Sequence, residues 1–421
     1  ENLSERQVSV NKVLNNINNV FQLNILGLNL LSAGSNLFGG NAHSIINSGK
    51  YFTKKDYLKA QMMLFTNKFN GEDAKKMLAA LEYFLPLTDN YNREIAKQLS
   101  VHTLTGESLQ DGLMSLMRYS DLNVQTSNFY AYLFNTIVVD GEVKNVREYL
   151  KSTPKYSNIY SLSTERRREL MNEFENDVNN LMIEKGILNT ASLENNELVI
   201  PGVDKKSQSV VELRRKVQQI SKNALGNLTA DDVRTINMNV YGKSFMVFKN
   251  WIPRLVDVRM GNLKYNSASD AYEWGRMRMI FRVLSDDLLH SVGNLKDSLL
   301  ANEKGVDYMR QLFEKKKADY ENDTGKKLEM TEDEFIDLMR QNIKSQIIDT
   351  VFLLTLCALI YALKAFAPDD DEDPAVKSQY RFILKATDKF RDELMYFYNP
   401  TSLSGFVSTG IFPSVALITN F

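Results

Sequence analysis

Along much of the chain, apolar residues recur at alternating steps of three and four, the spacing that lines one face of a helix. Leu170, Phe174, Val178 and Leu181 mark one such face, and Arg166, Glu173, Glu175 and Asp177 lie mostly off it. Val210, Leu213, Val217, Ile220 and Ala224 mark a second; Gly226 offers a C-terminal stop, and Thr229 with Asp232 can cap the next helix. The strongest stripe runs Trp274, Met277, Phe281, Leu284 and Leu288, with Arg276, Arg278 and Arg282 beside it. It predicts a core face with a solvated basic flank, the alternative being a nucleic-acid surface of arginines and aromatics. Thr53 with Asp56 and Thr331 with Glu334 have the form of capping boxes, the second before the stripe Phe335, Met339, Ile343.

Alternation at step two is rare. Ile137-Val-Val139 leads through Asp140-Gly141 into Glu142-Val143, which predicts a small hairpin, and Glu197-Leu-Val-Ile200 is a short apolar run closed by Pro201-Gly202. Both are expected to be minor insertions. The fold class is therefore mainly α, multi-helix bundles with at most a small β-hairpin or short strand insertions. Pro154, Pro201 and Pro253 fall between helical stretches, and Pro368-Asp-Asp-Asp-Glu-Asp-Pro374 is a sharper break, because five adjacent acids repel one another into a solvated loop. These marks divide the chain into a helical region 1–136, a mixed linker region 137–205, a central bundle 206–345 and an apolar helical region 346–421 interrupted by the acidic loop 368–374.

Composition narrows the function classes. Of 421 residues 43% are hydrophobic, enough for sizeable cores, and 51 Lys and Arg against 52 Asp and Glu leave a formal charge of -1. No global field steers such a chain onto a polyanion, so no specific nucleic acid is inferred. The single cysteine, Cys357, lies in the apolar run Val351–Ile360 and is expected to be a buried, inert thiol. His43, His102 and His290 are too far apart for a histidine-based metal site. Gly242-Lys243-Ser244 resembles the end of a phosphate-binding loop, but Asn237 stands where its first glycine is required. The acidic run lacks the glycine and downstream glutamate of a calcium loop. Asp286, Asp287 and His290 form one acid and histidine cluster, without a nucleophile signature beside it. No catalytic, cofactor-binding or metal residue is assigned, and no enzymatic activity or cofactor is expected.

Three uncharged apolar stretches stand out: Val20–Gly40, Val351–Leu363 and Thr401–Phe421. In the second, Val351, Phe352, Leu353, Leu354, Leu356, Leu359, Ile360 and Leu363 form a segment read first as a buried core helix, with membrane insertion as the alternative. Thirteen residues fall short of a bilayer unless Asp349 and Lys364 are drawn in. The chain opens on Glu1 and stops within the apolar Leu417–Phe421, so a piece of a longer polypeptide is expected.

Several blocks carry a resemblance: Asn29–Gly40, Gly49–Asp56, Val139–Tyr149, Trp251–Asn262 and Tyr272–Arg278. Together they resemble the very large structural polypeptides of crAss-like bacteriophages over most of residues 20–290. The resemblance implies a virion cargo protein, held in capsid and tail and ejected into the host with the DNA. Its implied partners are portal and tail barrel proteins and other cargo copies, with transient contact with the host membrane. Its implied location is the virion interior, then the host envelope or cytoplasm. A non-catalytic region of a virion-packaged RNA polymerase polypeptide and a membrane-active ejection protein are the alternatives. Within the blocks, Trp251, Pro253, Arg254, Asp257 and Arg259 are expected to form a helix-start core and a buried ion pair, the alternative being a partner surface.

Overall fold

The computed structural model describes residues 30–65, 72–84, 121–195, 197–225, 251–266, 270–286, 288–365 and 374–395. Among these residues it is mainly helical, with three two-stranded antiparallel hairpins. The N-terminal part holds α1 (Leu30–Asn47), α2 (Lys54–Phe65), α3 (Glu72–Phe84) and α4 (121–133). The capping box before α2 is formed: Thr53 N donates to Asp56 Oδ2 at 2.8 Å, and Asp56 N donates back to Thr53 Oγ1 at 3.2 Å. Strands β1 (Thr136–Val139) and β2 (Glu142–Asn145) follow. Between them Asp140 and Gly141 take φ of 54° and 75°, the paired left-handed conformation of a tight hairpin turn. At Gly141 a side chain would also strike the Gly202 carbonyl, 2.9 Å from where its Cβ would stand.

The β1–β2 hairpin is no minor insertion. Ile137 and Val139 face one apolar cluster, with Val146, Leu170 and Val178, while Val138 and its cross-strand partner Val143 face another, around Phe84, Phe129, Leu133 and Leu213. Alternation at step two lets one ribbon seal two cores. It continues into α5 (Val146–Lys151), whose first amides are capped by Asn145. Then come α6 (Thr164–Lys185), α7 (Ile187–Thr190), the hairpin β3 (Ser192–Glu194) with β4 (Glu197–Val199), and α8 (Gln208–Leu225). The faces read from sequence hold: Leu170 and Val178 are buried on α6, and Val210, Leu213, Val217 and Ala224 on α8. Arg214 of α8 donates to the last carbonyls of α3, Phe84 O at 2.6 Å and Tyr83 O at 3.2 Å.

The C-terminal part comprises α9 (Trp251–Met260), the hairpin β5 (Lys264–Asn266) with β6 (Ala271–Glu273), α10 (Arg276–Asp286), α11 (Leu288–Leu300), α12 (Glu303–Thr324), α13 (Glu332–Ala365) and α14 (Pro374–Met395). Its core joins Trp274, Met279, Val283, Phe313, Phe335 and Met339. Three expectations are corrected here. Pro253 lies inside the first turn of α9, where a proline breaks no helical hydrogen bond, rather than between helices. The Trp274 stripe is not one helix face: α10 begins only at Arg276, so Trp274 precedes it. Trp274 and Met277 of the stripe are buried as read, with Met279 and Val283 beside them, whereas Phe281 is half exposed. Arg276 is buried rather than solvated, for a reason found on α13. The division at 345/346 falls within that continuous helix, whose own capping box is formed by Thr331 and Glu334 at 2.8 and 3.3 Å. Thr229, Asp232, Gly242–Ser244, His102, the acidic run and the stretches 20–29 and 401–421 lie outside the described residues, as do Asp287 and the side chain of His290.

Candidate interaction surface on the longest helix

With 34 residues, α13 is about 51 Å long at 1.5 Å per residue. Its first half is tied down by core packing and ion pairs. Phe335, Ile336, Met339 and Ile343 enter the C-terminal core. Asp337 accepts from Tyr160 Oη at 2.6 Å and pairs with Lys151 at 2.5 Å. Arg340 donates to Tyr160 Oη at 2.8 Å. The last anchor is Asp349, fully buried, whose Oδ2 pairs with Arg276 of α10 and lies 3.5 Å from Nε of Arg259 of α9. Burial by itself would raise the Asp349 carboxyl; the two guanidinium groups outweigh it and hold the group below the usual carboxylate range. Arg276 also donates to Asn47 Oδ1 of α1 at 3.3 Å. His43, on the same helix, is pushed down to about 3 by burial first and by Arg259 next, so it is neutral. Four helices thus meet on one carboxylate.

That centre revises the reading of the 251–259 block. Arg259 is buried in an ion pair, but its partner is Asp349, ninety positions away, whereas Asp257 pairs at the surface with Lys264 at 2.6 Å. Trp251, Pro253 and Arg254 lie on α9, and their side chains are outside the described set.

Beyond Asp349 the helix leaves the body. Leu353 and Ile360 are buried, and Phe352 and Leu356 pack partly against Ala42 of α1. α14 runs back along this segment, with Tyr380 Oη donating to the Leu363 carbonyl at 2.9 Å. The rest faces outward: Val351, Leu354, Leu359 and Tyr361 are 54, 63, 45 and 80% exposed, with Val376, Phe382 and Ile383 also exposed on α14. Val351 to Leu363 is therefore not a buried core helix, and Cys357 is exposed, not buried. Local periodicity could not foresee this, because an all-apolar run has no polar face to say which side meets the core. The threonines deepen the apolar character: Thr350 donates to the Gln346 carbonyl at 2.9 Å and Thr355 to that of Val351 at 2.8 Å, leaving neither hydroxyl hydrogen to solvent.

One outward row of α13 has regular spacing. Lys344, Ile347, Val351, Leu354, Ala358, Tyr361 and Ala365 follow one another at steps of 3, 4, 3, 4, 3 and 4, and all are exposed. This is the heptad seam with which a helix meets another helix. At its lower end desolvation and the Arg340 cation lower the pKa of Lys344; beyond its upper end the sequence continues into the acids 369–373.

Elsewhere chemistry is sparse. A cleft of about 320 Å³ between β2–α5 and α8 is lined by Tyr132, Asn145, Glu148, Glu212, Lys144 and Lys216, but Lys216 pairs with Glu148 and Lys144 with Glu142, each at 2.7 Å. Among the described residues no group of three or more His, Cys, Asp or Glu could hold a metal ion. No family model, curated protein or solved structure matches the chain.

Proposed function

We propose that this chain is a non-enzymatic cargo protein of a bacteriophage virion, packed in capsid or tail and ejected with the DNA, and that the upper half of α13 binds neighbouring virion proteins. The observation that carries the reading is the row of exposed large apolar side chains on a helix anchored rigidly at its base. Contiguous apolar surface of this size on a folded body marks a contact site, since leaving it wet costs about 25 cal/mol per Å². The resemblance of residues 20–290 to crAss-like phage structural polypeptides supplies the setting: portal, tail barrel and other cargo copies as partners.

Peptide mass spectrometry on purified particles, and on infected cells soon after adsorption, tests the proposal. Peptides from this chain in particles and then inside cells are the expected result; peptides that appear only during infection would overturn it.

A second reading, a membrane-active ejection protein, is favoured by one observation: α13 is long and apolar enough to cross a bilayer. Geometry weighs against it. The charge-free part, 350–363, spans about 21 Å, against a hydrocarbon core of about 30 Å. Extending it downward would draw in Asp349, which is locked to Arg276, and extending it upward would draw in Lys364 and the acidic run.

A further inference from the structure

We propose that the cleft between β2–α5 and α8 binds a primary ammonium group carried on an alkyl chain, held by Glu212, Glu148 and the hydroxyl of Tyr132.

The site is built from its floor. Tyr132, in the last turn of α4, is 3% exposed and lines the cleft. Its ring packs on that of Tyr51, centroids 5.6 Å apart, and among the described residues its hydroxyl makes no hydrogen bond. A buried phenol ordinarily has a partner for its hydroxyl, since leaving that group unmet is costly. This one is turned toward the open space of the cleft, where a bound group can meet it.

Charge names the ligand. Of the charged side chains that line the cleft, both lysines are engaged, Lys144 with Glu142 and Lys216 with Glu148. Glu212 accepts only from the neutral amide of Gln208, at 3.0 Å, and Lys216 bonds Oε2 of Glu148, leaving Oε1. Lys50 stands over the Tyr51 ring at 4.9 Å, behind the lining. Even with Lys50 counted, Asp140, Glu142, Glu148 and Glu212 outnumber Lys50, Lys144 and Lys216, so the cleft favours a cation over an anion. The phenol carries the same sign: burial first, then the charges of Glu148 and Glu212, hold its pKa well above the usual tyrosine value.

Donor count narrows the cation. Glu148 and Glu212 both act on the Tyr132 hydroxyl, so three acceptors from α4, α5 and α8 converge. A primary ammonium has three N–H donors on a compact head, whereas a guanidinium spreads five in a plane and a quaternary ammonium has none. Val143 and Leu213, both buried, supply an apolar wall for the alkyl stem, and about 320 Å³ is room enough for a small amine.

Titration calorimetry of the full chain with n-butylammonium chloride, up to about 10 mM, tests this. Saturable binding with a Kd below about 1 mM is expected. Glu212→Gln and Tyr132→Phe should each weaken it about tenfold or more, as for hydrogen bonds to a charged group. Glu212 is exposed and the Tyr132 hydroxyl has no bond to lose, so both variants keep the wild-type circular dichroism and melting. Glu184→Gln, at an exposed position on α6, should leave binding unchanged. No saturation at the highest concentration, or binding indifferent to both cleft variants, would overturn the site. Equal affinity for tetramethylammonium would overturn recognition through N–H donors, and tighter binding of butyrate would overturn the sign of the charge. The same head group occurs on free alkyl amines and on lysine side chains of a partner protein. Nα-acetyl-lysine N-methylamide separates these sources: affinity equal to that of butylammonium assigns a partner's lysine, and its exclusion assigns a free amine.

Discussion

From Glu332 to Asp349, α13 carries charged residues at intervals, and Phe335, Ile336, Met339, Ile343, Gln346 and Asp349 are buried. From Thr350 to Ala365 it carries a single charge, Lys364, yet only Leu353 and Ile360 are buried. The more polar half of one unbroken helix is the half that lies inside. Hydrophobicity sets what burial is worth; neighbours set whether it happens. Among the described residues the lower half enters the core shared with α10, α11 and α12, and α1 and α14 pack along the upper half.

The contrast can be broken most forcefully at its hinge. Asp349→Asn leaves two guanidinium groups buried against a neutral amide and should cost about 3–5 kcal/mol in urea unfolding. A smaller cost after correct refolding would mean that the centre does not anchor the helix. Next, paired truncations compare the halves directly. Met339→Ala should cost about 2–5 kcal/mol through the cavity it opens. Leu354→Ala should stay within about 0.5 kcal/mol when measured on the monomer. Similar losses at both positions would show that the upper half is covered after all.

Acid sharpens the comparison further. His43 is held neutral, its pKa lowered from 6.5 to about 3, so the unfolded chain binds the proton that the folded chain refuses. The stability this contributes is complete above about pH 6.5 and is lost as pH falls toward 3, at about 1.4 kcal/mol per pH unit. Asp349, lowered from 3.8, adds its own loss only below that value. Chemical unfolding between pH 7 and 4 should show this slope, and His43→Asn should flatten it. The smallest effect lies at the start of α13, where Thr331→Ala removes half of a capping box and should cost about 1 kcal/mol.

How far each feature was legible depended on the distance over which it is decided. The boxes Thr53/Asp56 and Thr331/Glu334 and the Asp140-Gly141 turn were readable because each closes its hydrogen bonds or dihedrals within four residues. The β5–β6 hairpin was not, since Lys264-Tyr-Asn266 and Ala271-Tyr-Glu273 show no apolar alternation. Arg276 looked like a surface charge beside Arg278 and Arg282, because its counter-ion lies 73 positions away. Cys357 looked buried because its neighbours in sequence are apolar, whereas burial depends on neighbours in space.

The sequence by itself determined the helical class, the caps, the first hairpin and the apolar run 351–363, since propensity, periodicity and turn chemistry act over a few residues. Tertiary structure alone decided that Asp349 would gather Arg259, Arg276 and His43, and that the helix beyond it would stand partly uncovered. Those outcomes turn on which distant elements arrive beside a given face, and no local pattern of residues encodes that.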